Sequence, residues 1–356
     1  MMVFVDDVLT RLRLPCAKIL LALSLFAISF LPTIAFAADK LEKSDSPTSD
    51  PARHATLVVV VGAAGDDTYA KVFDEELALW RTVAKTSDVD LHVVGDPSGK
   101  GKPENDAKPD KERLQNILAE QSSAASAESP LWLVFVGHGT FDGRAAAFNL
   151  RGPDLQAAEL AAWLQDVRRP LAIVNTTAAS GPFVTTLSAP GRVVITATKS
   201  GQERSYARFG RYFAKRVIDP TADLDKDDQT SLFEAFLAAG RDTLAFYKSE
   251  GRITTEHPLL DDNGDGRGVR VEFFEGSKLS KAPSGNLAAD GDLARRFHLH
   301  PNSAERQLTA QQAAERDRLE TAIAQLRQRK STLAEDEYFA ELERLLVLLA
   351  KLYQGP

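Results

Sequence analysis

His138 stands between Gly137 and Gly139 at the end of an apolar run over 131–136, a setting in which an imidazole can exchange protons with a bound molecule. Histidine titrates near neutrality, and glycine on either side lets backbone and ligand approach closely. A tight turn with an exposed imidazole fits the same three residues, so chemistry requires a partner. The segment 173–181 reads Ile-Val-Asn-Thr-Thr-Ala-Ala-Ser-Gly and offers hydroxyls at Thr177 and Ser180. On an extended chain Thr177 is one residue out of phase with Ala178, so its side chain is expected on the opposite side. Ser180 serves either as a nucleophile for His138 or as an ordinary turn residue. No Asp or Glu is evidently spaced to orient the imidazole. Thiol chemistry is the class that composition removes. Cys16 is the only cysteine, which leaves no catalytic thiolate and no cysteine-ligated zinc or iron–sulfur centre in the chain that follows it.

Two acidic loops have the spacing of calcium ligands. Asp261, Asn263, Asp265, Gly266 and Glu272 satisfy D-x-N-x-D-G-x5-E, in which alternating oxygens surround a cation and glycine makes the sharp turn. Residues 269–274 have the pattern of a strand instead of the usual exiting helix, so a plain Asp/Asn/Gly turn fits equally. In the second loop, Asp223, Asp225 and Asp227 lead to Glu234 and a helix through Phe233, Phe236 and Leu237. Here Asp228 occupies the usual glycine position, and acids that merely cap a helix are the alternative. Calcium is therefore the one cofactor expected. His54, His92, His257, His298 and His300 lack ligand spacing; the last two lie in a polar stretch that reads as solvated. Trp80, Trp132 and Trp163 sit in apolar-patterned elements and are expected in the core.

These groups must be positioned by an alternation of strands and helices. Residues 56–61 form a β-branched run closed by Gly62, a helical pattern follows through Val72, Leu77, Leu79 and Val83, and 90–94 is a short strand. An exposed charged loop is expected over 97–111 and a helix around 114–120. The run 131–136 is nearly continuous in apolar residues, as when helices cover both sheet faces. A hairpin-like piece at Phe141-Asp142-Gly143, a helix over 155–164 and strands over 171–174 and 193–197 complete the rhythm. The reading is an α/β domain with a mostly parallel sheet. Right-handed crossovers place the ends of 131–136 and 171–174 side by side at one sheet edge. Residues 276–302, rich in Pro, Gly, Ser and Asp, read as a linker or surface loop. Over 303–354, Leu319, Ile323, Leu326 and Leu333, then Tyr338, Leu342, Leu345, Leu349 and Leu352, predict a helical hairpin. Each arm is short for an extended coiled coil, so docking on itself or on the main domain is favoured, with association through the tail as the alternative.

The first residues predict export. Arg11, Arg13 and Lys18 precede an apolar run over 19–30, then Pro32 and Ala35-Phe36-Ala37, the pattern of a signal peptide over 1–37 cleaved after Ala37. Residues 38–55 form a polar leader without an apolar face. The mature chain is expected in the periplasm or outside the cell, meeting a membrane only during export and lacking cysteine where disulfides could form. Net charge is −7 with no basic stripe, which argues against a nucleic-acid partner.

Residues 133–139, Leu-Val-Phe-Val-Gly-His-Gly, followed one strand later by 173–181, resemble the two catalytic segments of the legumain and caspase peptidase clan. In those enzymes the second segment reads strand, acidic residue, Ala, Cys, one further residue, Ser-Gly. Laying Ser180-Gly181 on that pair puts Ala178 at the nucleophile position. The segment 195–207, with Glu203, Ser205 and Tyr206, is similar to the legumain strand and loop lining the pocket for the residue before the cleaved bond. The resemblance covers 56–275 and implies a three-layer caspase-like α/β domain. His138 and the Gly139 amide are then vestiges of a catalytic pair, because alanine has no lone pair to attack a carbonyl. The expected function is a non-catalytic module that binds a peptide or protein; the alternative is a serine-type hydrolase using Ser180 and His138.

Overall fold

The computed structural model describes residues 55–96, 108–123, 129–280 and 290–353. The expected signal peptide and all but Ala55 of the leader lie outside these residues, as does 97–107 of the expected charged loop. The domain is a three-layer α/β sandwich around a mixed sheet. Its strands are β1 (Thr56–Val61), β2 (Asp90–Val94), β3 (Leu131–Val136), β7 (Leu171–Asn175), β8 (Arg192–Thr196), β9 (Leu259–Asp261) and β10 (Val269–Arg270). They lie in the order β10-β9-β8-β7-β3-β1-β2. The first five in chain order run parallel, and the last two are antiparallel additions at one edge. A small separate sheet, β4 (Gly139–Phe141), β5 (Ala146–Phe148) and β6 (Leu155–Gln156), branches from the end of β3.

Every residue of β1, β3 and β7 is buried, as continuous apolar runs require when both faces are covered. One face packs Val59, Val61, Val134, Val136 and Val174 against α1 (Asp67–Ser87), α5 (Phe209–Arg216) and α6 (Leu232–Ser249). The other packs Val58, Val60, Leu133, Phe135 and Ile173 against α2 (Asp110–Ser123), α3 (Ala157–Trp163) and α4 (Pro182–Leu187). The strict alternation between faces is the period of two that a strand imposes. Helix α1 starts where Asp66 Oδ1 accepts from the Thr68 and Tyr69 amides, at 2.8 and 2.9 Å, and ends at Asp88 in left-handed conformation. It turns Phe73, Leu77 and Trp80 onto the sheet.

The stretch 290–302 is not a linker, which corrects the reading from composition. Both Asp262 carboxylate oxygens accept amides of this strap, from Gly291 at 2.9 Å and Ala294 at 2.8 Å. Ala294, Phe297 and Leu299 enter the main core, and the Leu232 amide donates to the Phe297 carbonyl at 2.8 Å. His298 is held neutral here, its pKa pushed down to about 4 by burial and then by Arg316. Beyond the strap come α7 (Ser303–Gln307), α8 (Ala310–Gln328) and α9 (Glu335–Tyr353). The last two form the expected hairpin around their own core of Leu319, Ile323, Leu326, Tyr338, Leu342 and Leu345. The hairpin is tied to the body by Arg296, which donates to Thr321 Oγ1 at 2.5 Å, and by Gln328, which donates to Asp292 Oδ2 at 3.1 Å. No helix among the described residues is long and apolar enough to cross a membrane.

Candidate functional site

Strand β3 delivers His138 to the C-terminal edge of the sheet, where crossovers leave open α/β sheets their crevice. Gly137, at φ 154, lies close enough to Gly62 that a Cβ on it would fall 3.2 Å from the Gly62 Cα, so the turn requires glycine. The imidazole is half-buried, edge-on to Tyr69 with centroids 4.5 Å apart and to Phe73 with centroids 5.1 Å apart. Its Nε2 lies 3.2 Å from the Ala64 carbonyl oxygen. A carbonyl only accepts, so that nitrogen carries the proton and Nδ1 keeps its lone pair. Burial lowers the His138 pKa, opposed in part by the Ala64 carbonyl and by Asp66, which favours the neutral ring. The orienting group is therefore a backbone carbonyl on the β1–α1 connection, which no search for an acidic residue in the sequence could find.

Strand β7 is paired beside β3, with Phe135 opposite Asn175, so the segment 175–181 follows next to His138. It turns instead of extending, which voids the phase argument made for Thr177. Ala179 adopts φ 54, a strained conformation for a residue with a Cβ, and its amide donates to the Glu203 carbonyl at 2.8 Å. The segment presses against Gly139: a Cβ there would lie 2.3 Å from the Ala178 carbonyl oxygen and 2.6 Å from Thr177 Oγ1. Ala178 is 4% exposed and Ser180 is fully buried. Thr177 donates its hydroxyl to Asn175 Oδ1 at 2.7 Å. Ser180 Oγ lies 3.1 Å from Thr198 Oγ1 and accepts from the Thr198 amide at 3.2 Å. No hydrogen bond joins Ser180 to His138. The hydroxyl on which a serine-type hydrolase would depend is enclosed and joins the segments that follow β7 and β8.

Of the three expected pocket residues, Tyr206 meets the rings that flank the histidine: its ring lies 5.4 Å from that of Tyr69 and 6.5 Å from that of Phe73. Glu203 is committed elsewhere. It accepts the Lys199 amide at 2.9 Å and the His257 amide at 3.2 Å, and pairs with His257 Nδ1. Ser205 is exposed. The loop holding them is seated on the hairpin after His138, since a Cβ on Gly201 would fall 2.3 Å from the Phe141 ring. Beneath this aromatic wall lie two buried acids that sequence reasoning did not single out. Glu76, one helical turn from Phe73 on α1, has Oε1 3.2 Å from Thr176 Oγ1, and burial pushes its pKa up to about 8. Glu256 accepts the Arg208 and Phe209 amides at the start of α5 and the Tyr247 hydroxyl, while burial raises its pKa.

The two acidic loops fare differently. Asp261, Asn263 and Asp265 each accept an amide of their own turn, and Glu272 lies in a short 3-10 turn after β10 instead of a returning helix. The closer match to the calcium spacing is thus not gathered into one group of carboxylates. Among the described residues, the one such group is Asp223, Asp225 and Asp227, whose ligand oxygens all lie within 4.8 Å of one another. The weaker match in sequence is the assembled one in space.

No protein-family model and no curated protein matches the chain. Solved structures similar to it include the Drosophila initiator caspase Dronc, at TM-score 0.40 and 12% identity, covering 70% of this chain and 98% of that one. Caspase-1 from Spodoptera frugiperda overlaps at TM-score 0.39 and 8% identity, covering 65% and 96% of the two chains. Protein GSU0716 from Geobacter sulfurreducens overlaps at TM-score 0.38 and 10% identity, covering 60% and 94%. Overlaps this loose assign no residue a role.

Proposed function

We propose that the chain is an exported caspase- or legumain-like domain without peptidase activity that binds a peptide or protein at the His138 end of its sheet. The observation that carries this reading is at position 178: the residue pressed against the histidine segment is an alanine, and it is 4% exposed. A peptidase needs at that place a nucleophile, open to a carbonyl and within reach of the base. The one sulfhydryl of the sequence, Cys16, belongs to the expected signal peptide. What remains is a neutral imidazole and a half-buried wall of Tyr69 and Tyr206, surfaces of the kind that hold side chains of a bound chain without cutting it.

The test is turnover and binding measured on one preparation. Purified protein is expected to leave fluorogenic peptides with Asn, Asp, Arg or Lys before the scissile bond uncut, and to show no fluorophosphonate labelling. In a fluorescence-polarisation screen of the same peptides uncleaved, binding weakened about ten-fold or more by Tyr206→Ala is expected. Robust turnover abolished by His138→Ala, or labelling lost in Ser180→Ala, would replace this reading with a hydrolase.

A further inference from the structure

We propose that the helical hairpin is held on the strap by an acid-sensitive latch at His298, closed while the imidazole is neutral and released when it becomes a cation. His298 forms an antiparallel bridge with Ser231 at the start of α6, and the Leu232 amide donates to the Phe297 carbonyl at 2.8 Å. Phe297 is extended, at φ −91 and ψ 110. Side chains of an extended chain alternate, so Phe297 and Leu299, 5% and 1% exposed, enter the core and His298 faces the other way. On that side lies α8. Leu319, Ile323 and Leu326 of this helix turn toward α9, while the strap's Arg296 reaches the Asp317 carbonyl and the Thr321 hydroxyl. The charge acting on the His298 ring comes from the same helix, from Arg316. Arg316 is pinned by Glu305 of α7 and by Asp317 at 2.9 Å. The bonds fastening α8 to the strap, at Asp292 and Arg296, are made a few residues from the ring.

A neutral ring fits beside a guanidinium, whereas an imidazolium there sets two like charges together away from water. Arg316 has little room to retreat, since its two acids hold it and its side chain is 16% exposed. Burial and then Arg316 push the ring's pKa from 6.5 down to about 4, opposed by the Arg296 carbonyl. Released from the hairpin, the ring meets water and regains its ordinary value. The docked form therefore binds the proton more weakly than the undocked one. Docking is at full strength above pH 6.5 and is lost as pH falls toward and through about 4, the undocked-to-docked ratio rising on the order of a hundredfold. His300, two residues on, pulls the same way, because partial burial and Arg306 lower its pKa. Glu320, one turn from Arg316 on α8, pulls the other way: burial raises its carboxyl pKa, so acid favours its docked form. That opposition ends once Glu320 is protonated, whereas His298 keeps pulling down to about pH 4. At the bridge itself the neighbouring acid, Glu234, is occupied by the Ser231 amide and hydroxyl.

The experiment follows purified protein from pH 7 to pH 4 by small-angle X-ray scattering and far-UV circular dichroism, with the histidine rings titrated by NMR. The radius of gyration is expected to rise with acid while the helical signal is kept, and the His298 ring is expected to titrate with a midpoint well below 6.5. His298→Gln, which carries no titrating ring, should need a lower pH for the same rise. Arg316→Gln should move the His298 midpoint up toward 6.5, and it carries the comparison if the first variant does not fold at pH 7. The latch is overturned by a parent radius unchanged down to pH 4, by a His298 midpoint at or above 6.5, or by a midpoint that ignores Arg316→Gln. It is equally overturned if folded His298→Gln expands at the parent's pH, or if the expansion comes only with loss of the helical signal, which is unfolding of the whole chain.

Discussion

At the scale of single residues, Glu76 is the group whose titration should be visible in stability. The Thr176 hydroxyl has one proton and lies 2.6 Å from the Phe135 carbonyl oxygen, its better acceptor. Glu76 must then donate to Thr176 Oγ1, which agrees with a carboxyl that stays protonated to about pH 8. An acid whose folded pKa is raised from 4.5 to about 8 contributes stability fully below pH 4.5 and loses it as pH rises through 8. Glu76→Gln keeps a donor and removes the charge. Its unfolding free energy is therefore expected to match the parent near pH 4.5 and exceed it increasingly up to pH 8, by roughly 1 kcal/mol or more at the upper end; a constant difference between the two melting temperatures across that window would refute the assignment. The sequence made part of this site legible and hid the rest for a physical reason. Ala178 and the missing thiol can be read from residue identity. The Ala64 carbonyl that orients His138, and the Thr198 hydroxyl that engages Ser180, belong to contacts between distant segments, and neither leaves a local pattern.

At the scale of elements, the parallel strands were legible because residues buried on both faces must be apolar throughout, as in 131–136. The strap was not. Its apolar residues Ala294, Phe297 and Leu299 are few and irregularly spaced among Asp, Arg and His, and only the Asp262 carboxylate and the vacant edge of the core give them a place. The two views of this stretch predict different behaviour for Phe297, which is 5% exposed and lies edge-on to Trp132 at 6.4 Å. In a linker, Phe297→Ala would change stability by a few tenths of a kcal/mol. As part of the core it should cost about 3 kcal/mol, read as a lower denaturant midpoint with an unchanged slope.

At the scale of the whole molecule, the open matter is what the helical hairpin is for. Its apolar stripe is already spent: Leu319, Ile323 and Leu326 of one helix meet Tyr338, Leu342 and Leu345 of the other. Among the described residues, the large hydrophobics left exposed on it are Val347 and Tyr353. Two separated side chains fall well short of the roughly 1,000 Å² that a stable interface between chains buries in total. Arg296 and Asp292 meanwhile hold the hairpin to the α/β body from the strap. A chain ending after Asn302 is accordingly expected to keep the same number of chains per particle by light scattering and to melt at a lower temperature, because Arg296 loses its partner on α8. Were the full chain a multimer that reverted to single chains on this truncation, the hairpin would be an association element, and the stripe between its two helices would have to open to supply the buried area.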